Sequence, residues 1–249
     1  MEKFESPSHE RTEAAPAAGA DGVAFAPIEN EDFDGIVGLA AAAWYAPDGC
    51  GDLGAKALAD VELSEEERGR IAHLMAADEV ASYLADMTWG CKALLNGQVV
   101  GVVLTQGTHA DEAARRRWEQ LGAEARQAAE AALARLRGRE ERGADTPGPV
   151  YLDEVRATEE MRVEAGLAGQ PRAPLLVVSG AARGHGLGRR LLDRARDHFR
   201  RHGSERYWLV TDTDCDWPFY EHLGLERLAQ RPGTVAGAPD TYFIYGGRC

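Results

Sequence analysis

The chain has 249 residues, 44% hydrophobic and 28% charged, which suits a folded unit able to bury its own core and excludes a fibrous or wholly disordered chain. Lysine and arginine number 28 against 41 aspartates and glutamates, a net charge of −13, and so acidic a chain is not built to grip nucleic acid non-specifically. Four cysteines (Cys50, Cys91, Cys215 and Cys249) lack zinc-like spacing and read as reduced thiols. The first 20 residues carry no apolar leader, and the longest apolar stretch, about 35–46, is too short to span a bilayer. The expectation is a cytoplasmic protein with no bound metal, no membrane and no nucleic acid.

The charge is unevenly placed. Residues 1–90 hold 5 basic and 19 acidic side chains, whereas residues 183–206 hold 8 arginines and 3 acids. A basic stretch in an acidic chain is either a seat for a small polyanion or a solvated helix face.

Residues 1–20, rich in Glu, Pro, Ala and Ser, read as a disordered acidic tail, and 21–249 as a single domain. Val23–Ile28 reads as a strand, and Asp32 as the N-cap of a helix through Trp44 that buries Phe33, Ile36, Val37 and Ala40. Ala46–Gly54 is turn chemistry. Ser64 and Glu67 form a capping box opening a helix to about Asp86, with Ile71, Leu74, Met75, Val80 and Leu84 along its apolar stripe. Asn96-Gly97 is a favoured two-residue turn, so Thr88–Leu95 and Val99–Thr105 read as a hairpin. Residues 107–172 look inserted: a helix over about Asp111–Arg137, a linker at Gly143–Pro149, and a weaker helix over Asp153–Gly166. An insertion of this size either covers a binding pocket or packs outside as a helical hairpin, for instance at a homodimer contact. Pro171 and Pro174 then reset the chain. Leu175–Val178 reads as a buried strand, followed by a Gly-rich turn, a helix to about His202 and a strand over Arg206–Thr211. Asp216–Leu223 reads as a short helix, and Leu225–Ala229 and Thr241–Tyr245 as closing strands.

The turn Arg183-Gly-His-Gly-Leu-Gly188, set between a strand and a helix, is suited to phosphate: its glycines admit close approach, and the helix N-terminus adds partial positive charge. A dinucleotide fingerprint needs G-x-G-x-x-G, and Arg189 stands where the third glycine belongs. A Walker loop is excluded, because no Gly-Lys-Ser/Thr occurs. A purely structural turn is the other reading.

Arg183-x-x-Gly186-x-Gly188 resembles the (Q/R)-x-x-G-x-(G/A) signature of the GNAT superfamily of acyl-CoA-dependent N-acyltransferases. Phe219-Tyr220-Glu-His-Leu-Gly224-Leu225 is similar to its second signature, F-Y-x-x-x-G-F, one helix and one strand further on. The likeness is strongest over Pro174–Leu228. It implies an α/β fold: a six- to seven-stranded mixed sheet flanked by helices, with the helical insertion before the cofactor-binding strand.

The resemblance further implies that acetyl-CoA is co-substrate, its pyrophosphate held by Arg183, Gly184, His185, Gly186, Leu187, Gly188 and Arg189. Its pantetheine arm would lie along Leu176–Val178, with an amide near Val177 or Val178 meeting the thioester carbonyl. His185 either touches phosphate or faces solvent. The acceptor implied is a small-molecule or peptide amine, attacking the thioester directly, with Tyr220 as general acid to the leaving thiolate. The base is not legible; Asp212, at the end of the strand after the turn, is the candidate. Thr213 and Asp216 stand where the family often has Asn and Ala, a departure that bears on acceptor and CoA detail. A catalytically silent acyl-CoA-binding module on the same scaffold is the alternative, and His198 and His202, at i and i+4, read as surface residues.

Overall fold

The computed structural model describes residues 21–45, 64–107, 112–137 and 148–249. The acidic tail, the 46–54 turn and the 143–147 part of the linker fall outside them. The order of elements is β1 (Val23–Pro27), α1 (Phe33–Trp44), α2 (Glu65–Ala85), β2 (Trp89–Leu95), β3 (Gln98–Gln106), α3 (Glu112–Arg137), α4 (Gly148–Glu164), β4 (Arg172–Val178), α5 (Leu187–Arg201), β5 (Arg206–Asp212), α6 (Pro218–His222), β6 (Glu226–Pro232) and β7 (Thr241–Arg248). Seven strands form one sheet in the order β1-β2-β3-β4-β5-β7-β6, antiparallel throughout except for the β4–β5 pair. Among the described residues no helix is long and apolar enough to cross a membrane.

Local chemistry explains several elements. Ser64 caps α2, its Oγ accepting the Glu67 N–H while Glu67 accepts the Ser64 N–H. Asn96 (φ 53°) and Gly97 (φ 79°) both take the left-handed conformations that a type I′ hairpin turn requires. Asp32 does not cap α1. The chain enters through a 3₁₀ turn over Asn30–Asp32, which puts Asp32 in helical conformation, so its carboxylate turns instead to the Glu29 N–H (2.7 Å) and to the buried Lys92 ammonium (2.6 Å).

Two apolar clusters sandwich the sheet. On one face α5 buries Leu187, Leu191, Leu192, Ala195 and Phe199 against Val103, Tyr207, Leu209 and Phe243. On the other, α1 and α2 pack Ile36, Val37, Val80 and Leu84 against Val102, Leu104, Leu175 and Val177. The two inserted helices do different things. α3 lies on α2, burying Trp118, with Gly122 so close that a Cβ there would stand 3.0 Å from the Ala81 Cβ. α4 begins at Gly148, five residues earlier than periodicity indicated, and buries Ala157 and Met161 against Trp208, Tyr242 and Ile244. Asp153 fastens it further: its carboxylate accepts the Thr234 N–H (2.9 Å), the Thr234 hydroxyl and the Arg156 guanidinium (2.6 Å).

Candidate active site

Among the described residues β4 and β5 are the one parallel pair, and they barely pair. A single ladder position joins Arg172 to Trp208, with the Trp208 N–H on the Pro171 carbonyl at 3.2 Å. Beyond it the strands splay toward their C-terminal ends. β4 is longer at its start than the sequence reading allowed, and Pro174 lies inside it. The register against β3 slips there: between the pairs Leu104–Leu175 and Gln106–Arg172, two β4 residues, Ala173 and Pro174, stand opposite one on β3, Thr105. That is a bulge, a place where a proline without an N–H is tolerated.

The bulge sets which amides face the split. Ser179 donates its N–H to Val100, and partners alternate along an antiparallel strand, so Leu175 and Val177 address β3. Leu176 and Val178 therefore turn their N–H and C=O groups into the gap. The Val177 amide, expected at the thioester, is directed to β3, whereas Leu176 and Val178 of the same expected segment present theirs to the split.

At the mouth of the split, Gly184 (φ 79°) and Gly186 (φ 68°) take left-handed conformations, and a Cβ on either would meet open space. The first α5 amide to find a backbone partner is that of Arg190, on the Gly186 carbonyl at 3.1 Å. The N–H groups of residues 184–189 are thus left without a backbone partner at a helix N-terminus, an arrangement able to receive an anion. The Arg183 amide is not among them, since it bonds the Gly180 carbonyl. Arg183 contributes an exposed side chain, and His185 is exposed with Nδ1 3.0 Å from the Arg183 carbonyl oxygen. Gly188 has a different purpose: a Cβ there would come within 3.0 Å of the Phe219 ring, which brings α6 against the turn.

Much of the basic stretch is engaged by its own helix and by the segment around β1. Arg190 pairs with Asp21, Arg190 and Arg194 lie over the Phe25 ring, and Arg196 and Arg200 pair along the helix. Arg183 and Arg189 flank the turn without an ion pair among the described residues.

A cavity of about 1230 Å³ runs from the turn through the split to a chamber behind it. Tyr220 and Phe219 line it at the turn end, with Cys215 and Asp216 beside them; Asp212 lines it along β5. Tyr220 packs on Phe219 and Tyr245, ring centroids 5.3 and 5.7 Å away. The Asp212 Oδ1 accepts the Asp214 N–H at 2.8 Å, and burial pushes its carboxyl above the ordinary range.

The chamber contains residues that the sequence reading left out of the site. Trp44, Tyr45, Glu79 and Tyr83 come from α1 and α2, Glu154 and Thr158 from α4, and Arg172 from β4. The Glu79 carboxylate receives the Tyr45 hydroxyl (3.1 Å) and the Tyr83 hydroxyl (3.3 Å). Burial raises its pKa against those hydrogen bonds. The Glu154 carboxyl is pushed up to about 8, by burial first and then by the charges of Glu79 and Asp212, with Arg172 pulling the other way. Arg172 donates to the Gln106 side chain at 2.5 Å and lies over the Trp208 ring. Trp89 and Trp217, the other large aromatics near these segments, do not line the cavity. Trp89 stacks on His198, which lies 4.2 Å ring to ring from His202.

A mixed sheet split between two parallel strands, with a Gly-rich turn at the mouth of the split, is the fold of the GNAT acetyltransferases. Residues 169–225 match the acetyltransferase (GNAT) family, so the chain carries that family's sequence segment as well as its fold. Among solved structures it is similar to an apo mutant of an agmatine N-acetyltransferase, at 13% identity and a TM-score of 0.55, covering 92% of this chain and 100% of that one. It is also similar to a Drosophila melanogaster polyamine N-acetyltransferase that catalyses formation of N-acetylagmatine, at 13% identity and a TM-score of 0.52, covering 91% and 100%. No curated protein matches the sequence.

Proposed function

We propose that the protein transfers an acetyl group from acetyl-CoA directly to a cationic amine. One observation carries this: a single cavity joins a phosphate-type turn, a split strand edge with free amides, and a chamber dominated by carboxylates. The diphosphate sits on the amides of residues 184–189, flanked by Arg183, His185 and Arg189. The pantetheine arm pairs with the open edge of β4 at Leu176 and Val178, and one of those amides polarises the thioester carbonyl, a contribution of about 3 kcal/mol for an oxyanion-type donor. Tyr220 protonates the leaving thiolate.

The chamber selects the acceptor by charge. Glu79, Glu154 and Asp212 face a shared space containing Arg172, and each carboxyl is pushed up in pKa. Carboxylates crowded in this way are relieved by a cation, and the rings of Trp44, Tyr45 and Tyr83 offer further faces to an ammonium or guanidinium. The two solved structures named above, one an agmatine and one a polyamine acetyltransferase, point the same way.

The test is thiol release from acetyl-CoA against a panel of amines including agmatine and spermidine, run beside Tyr220→Phe. Turnover is expected with cationic amines, and a fall in kcat of about 100-fold in the variant, the lower range for loss of a general acid. Unchanged kcat in Tyr220→Phe would remove the acid assignment. CoA binding without turnover on any amine would make the chain a binding module instead.

A further inference from the structure

We propose that Glu154, carried into the chamber by the inserted helix α4, is the general base that takes the proton from the acceptor ammonium. The proposal rests on the acetyl-transfer reading and names the group that the sequence left unassigned.

The first ground is what occupies each carboxylate in the acceptor part of the cavity. Glu79 has both oxygens engaged by tyrosine hydroxyls. Asp212 holds the turn after β5 through the Asp214 N–H, and the Cys215 thiol also bonds it. Asp86 and Glu159 pair with Arg115 and Arg162. Glu154 lines the same space, and its carboxylate has no hydrogen-bond partner among the described residues. Its lone pairs are the ones available to an incoming N–H.

The second ground is rigidity. A base must be held, and α4 is fastened to the sheet by polar and apolar contacts. Asp153, whose side chain is only 1% exposed, is tied to Thr234, and Ala157 and Met161, one and two turns on, are fully buried. Arg231 adds pairs to Glu160 and Glu164.

The third ground is electrostatic. The charged and titratable groups facing Glu154 are Glu79 and Tyr83 from α2, Tyr45 after α1, Arg172 from β4, Asp212 from β5 and Tyr242 from β7. Burial first, and then negative neighbours that outnumber Arg172, push Glu154 up to about 8, close to neutrality, where a general base is most effective.

The proton balance closes. The ammonium gives one proton to Glu154, which later releases it to solvent. The freed nitrogen lone pair forms the C–N bond to the thioester carbonyl carbon. As the C–S bond breaks, Tyr220 protonates the sulfur and is restored by the second proton of the amide nitrogen. The products are the amide, CoA thiol and one proton.

The experiment is the pH profile of kcat/KM for the best amine of the panel. In the wild type the rate should rise through a limb near pH 8 and then level. Glu154→Gln, close in shape and on a cavity wall, should lose about 100-fold at pH 7.5 with the acetyl-CoA KM unchanged. Its limb near 8 should vanish, leaving a rate that climbs until the free amine itself deprotonates. Glu154→Asp should recover part of the rate and the limb. Glu79→Gln removes a negative neighbour and should move the limb to lower pH without abolishing it. An active wild type whose Glu154→Gln variant keeps both rate and limb overturns this proposal and leaves acetyl transfer standing. A wild type inactive on every amine overturns both.

Discussion

Replacing Asp153 by Ala probes the joint that fixes the inserted helix to the sheet. The carboxylate accepts two hydrogen bonds from Thr234 and one from Arg156 while itself almost fully buried. Hydrogen bonds to a buried charged group contribute about 1.5–3 kcal/mol each. Arg156 is 45% exposed and regains water when its partner goes, so the loss falls mainly on the two Thr234 donors, about 3–5 kcal/mol. For a chain of this size that is a fall in Tm of about 6–20 °C. Asp153→Asn, which keeps an acceptor and loses the charge, should fall between.

The dependence on pH follows from the sign of the shift. Burial raises the Asp153 carboxyl, but bonds from Thr234 and Arg156 outweigh it and hold the pKa below 3.8. The folded state therefore prefers the ionised form. That stability is present above pH 3.8 and disappears as pH falls through the lowered value. Thermal unfolding from pH 3 to 7 should show the wild type and Asp153→Ala converging at the acid end. A difference under about 1 kcal/mol at pH 7, or one that does not narrow in acid, would refute the reasoning. Because α4 walls the chamber, the variant should also raise the acceptor KM more than the acetyl-CoA KM. Deleting the whole insertion would not isolate that effect, since Ala157, Met161 and Trp118 are buried in the cores.

Two further predictions follow from geometry and charge. Glu154 is raised from 4.5 to about 8, so the folded state keeps a proton that the unfolded chain releases, and stability should fall as pH rises across that window, by at most about 1.4 kcal/mol per pH unit. Glu154→Gln should then be neutral in Tm at pH 5 and stabilising by several degrees at pH 9; equal effects at both would remove the raised pKa. Gly188→Val sets a side chain within 3.0 Å of the Phe219 ring and should cost about 1–3 kcal/mol by overpacking, with a lower kcat as α6 and Tyr220 shift. An unfolding curve and kcat unchanged from wild type would show that the close approach does not matter.

What the sequence made legible was local. A capping box, an Asn-Gly turn and a Gly-rich strand-to-helix turn declare themselves within a few residues, because one backbone conformation demands those side chains. Tyr220 and Asp212 became candidates on other grounds, Tyr220 by its place in a segment similar to a family signature and Asp212 by its place at the end of the strand after the turn. The chamber was not legible. Glu79 and Glu154 lie 75 positions apart in the chain and meet only because α2 and α4 both pack beside the split. A signal did exist for Glu79: it stands among Ala76, Ala77 and Val80, all buried, so a carboxylate falls on the inward face of α2. For α4 the same signal was lost because its start was read five residues late, which made Asp153 and Glu154 look like a helix beginning. Pro174 misled for a related reason: a proline read as a break becomes a bulge once the strand beside it shows the slipped register.

The crystal structure of the acetyl-CoA complex tests the central claim most directly. The account predicts diphosphate oxygens within hydrogen-bond distance of the amides of residues 184–189, and the pantetheine arm paired with Leu176 and Val178 in the split. Acetyl-CoA bound elsewhere, with that turn empty, would contradict it.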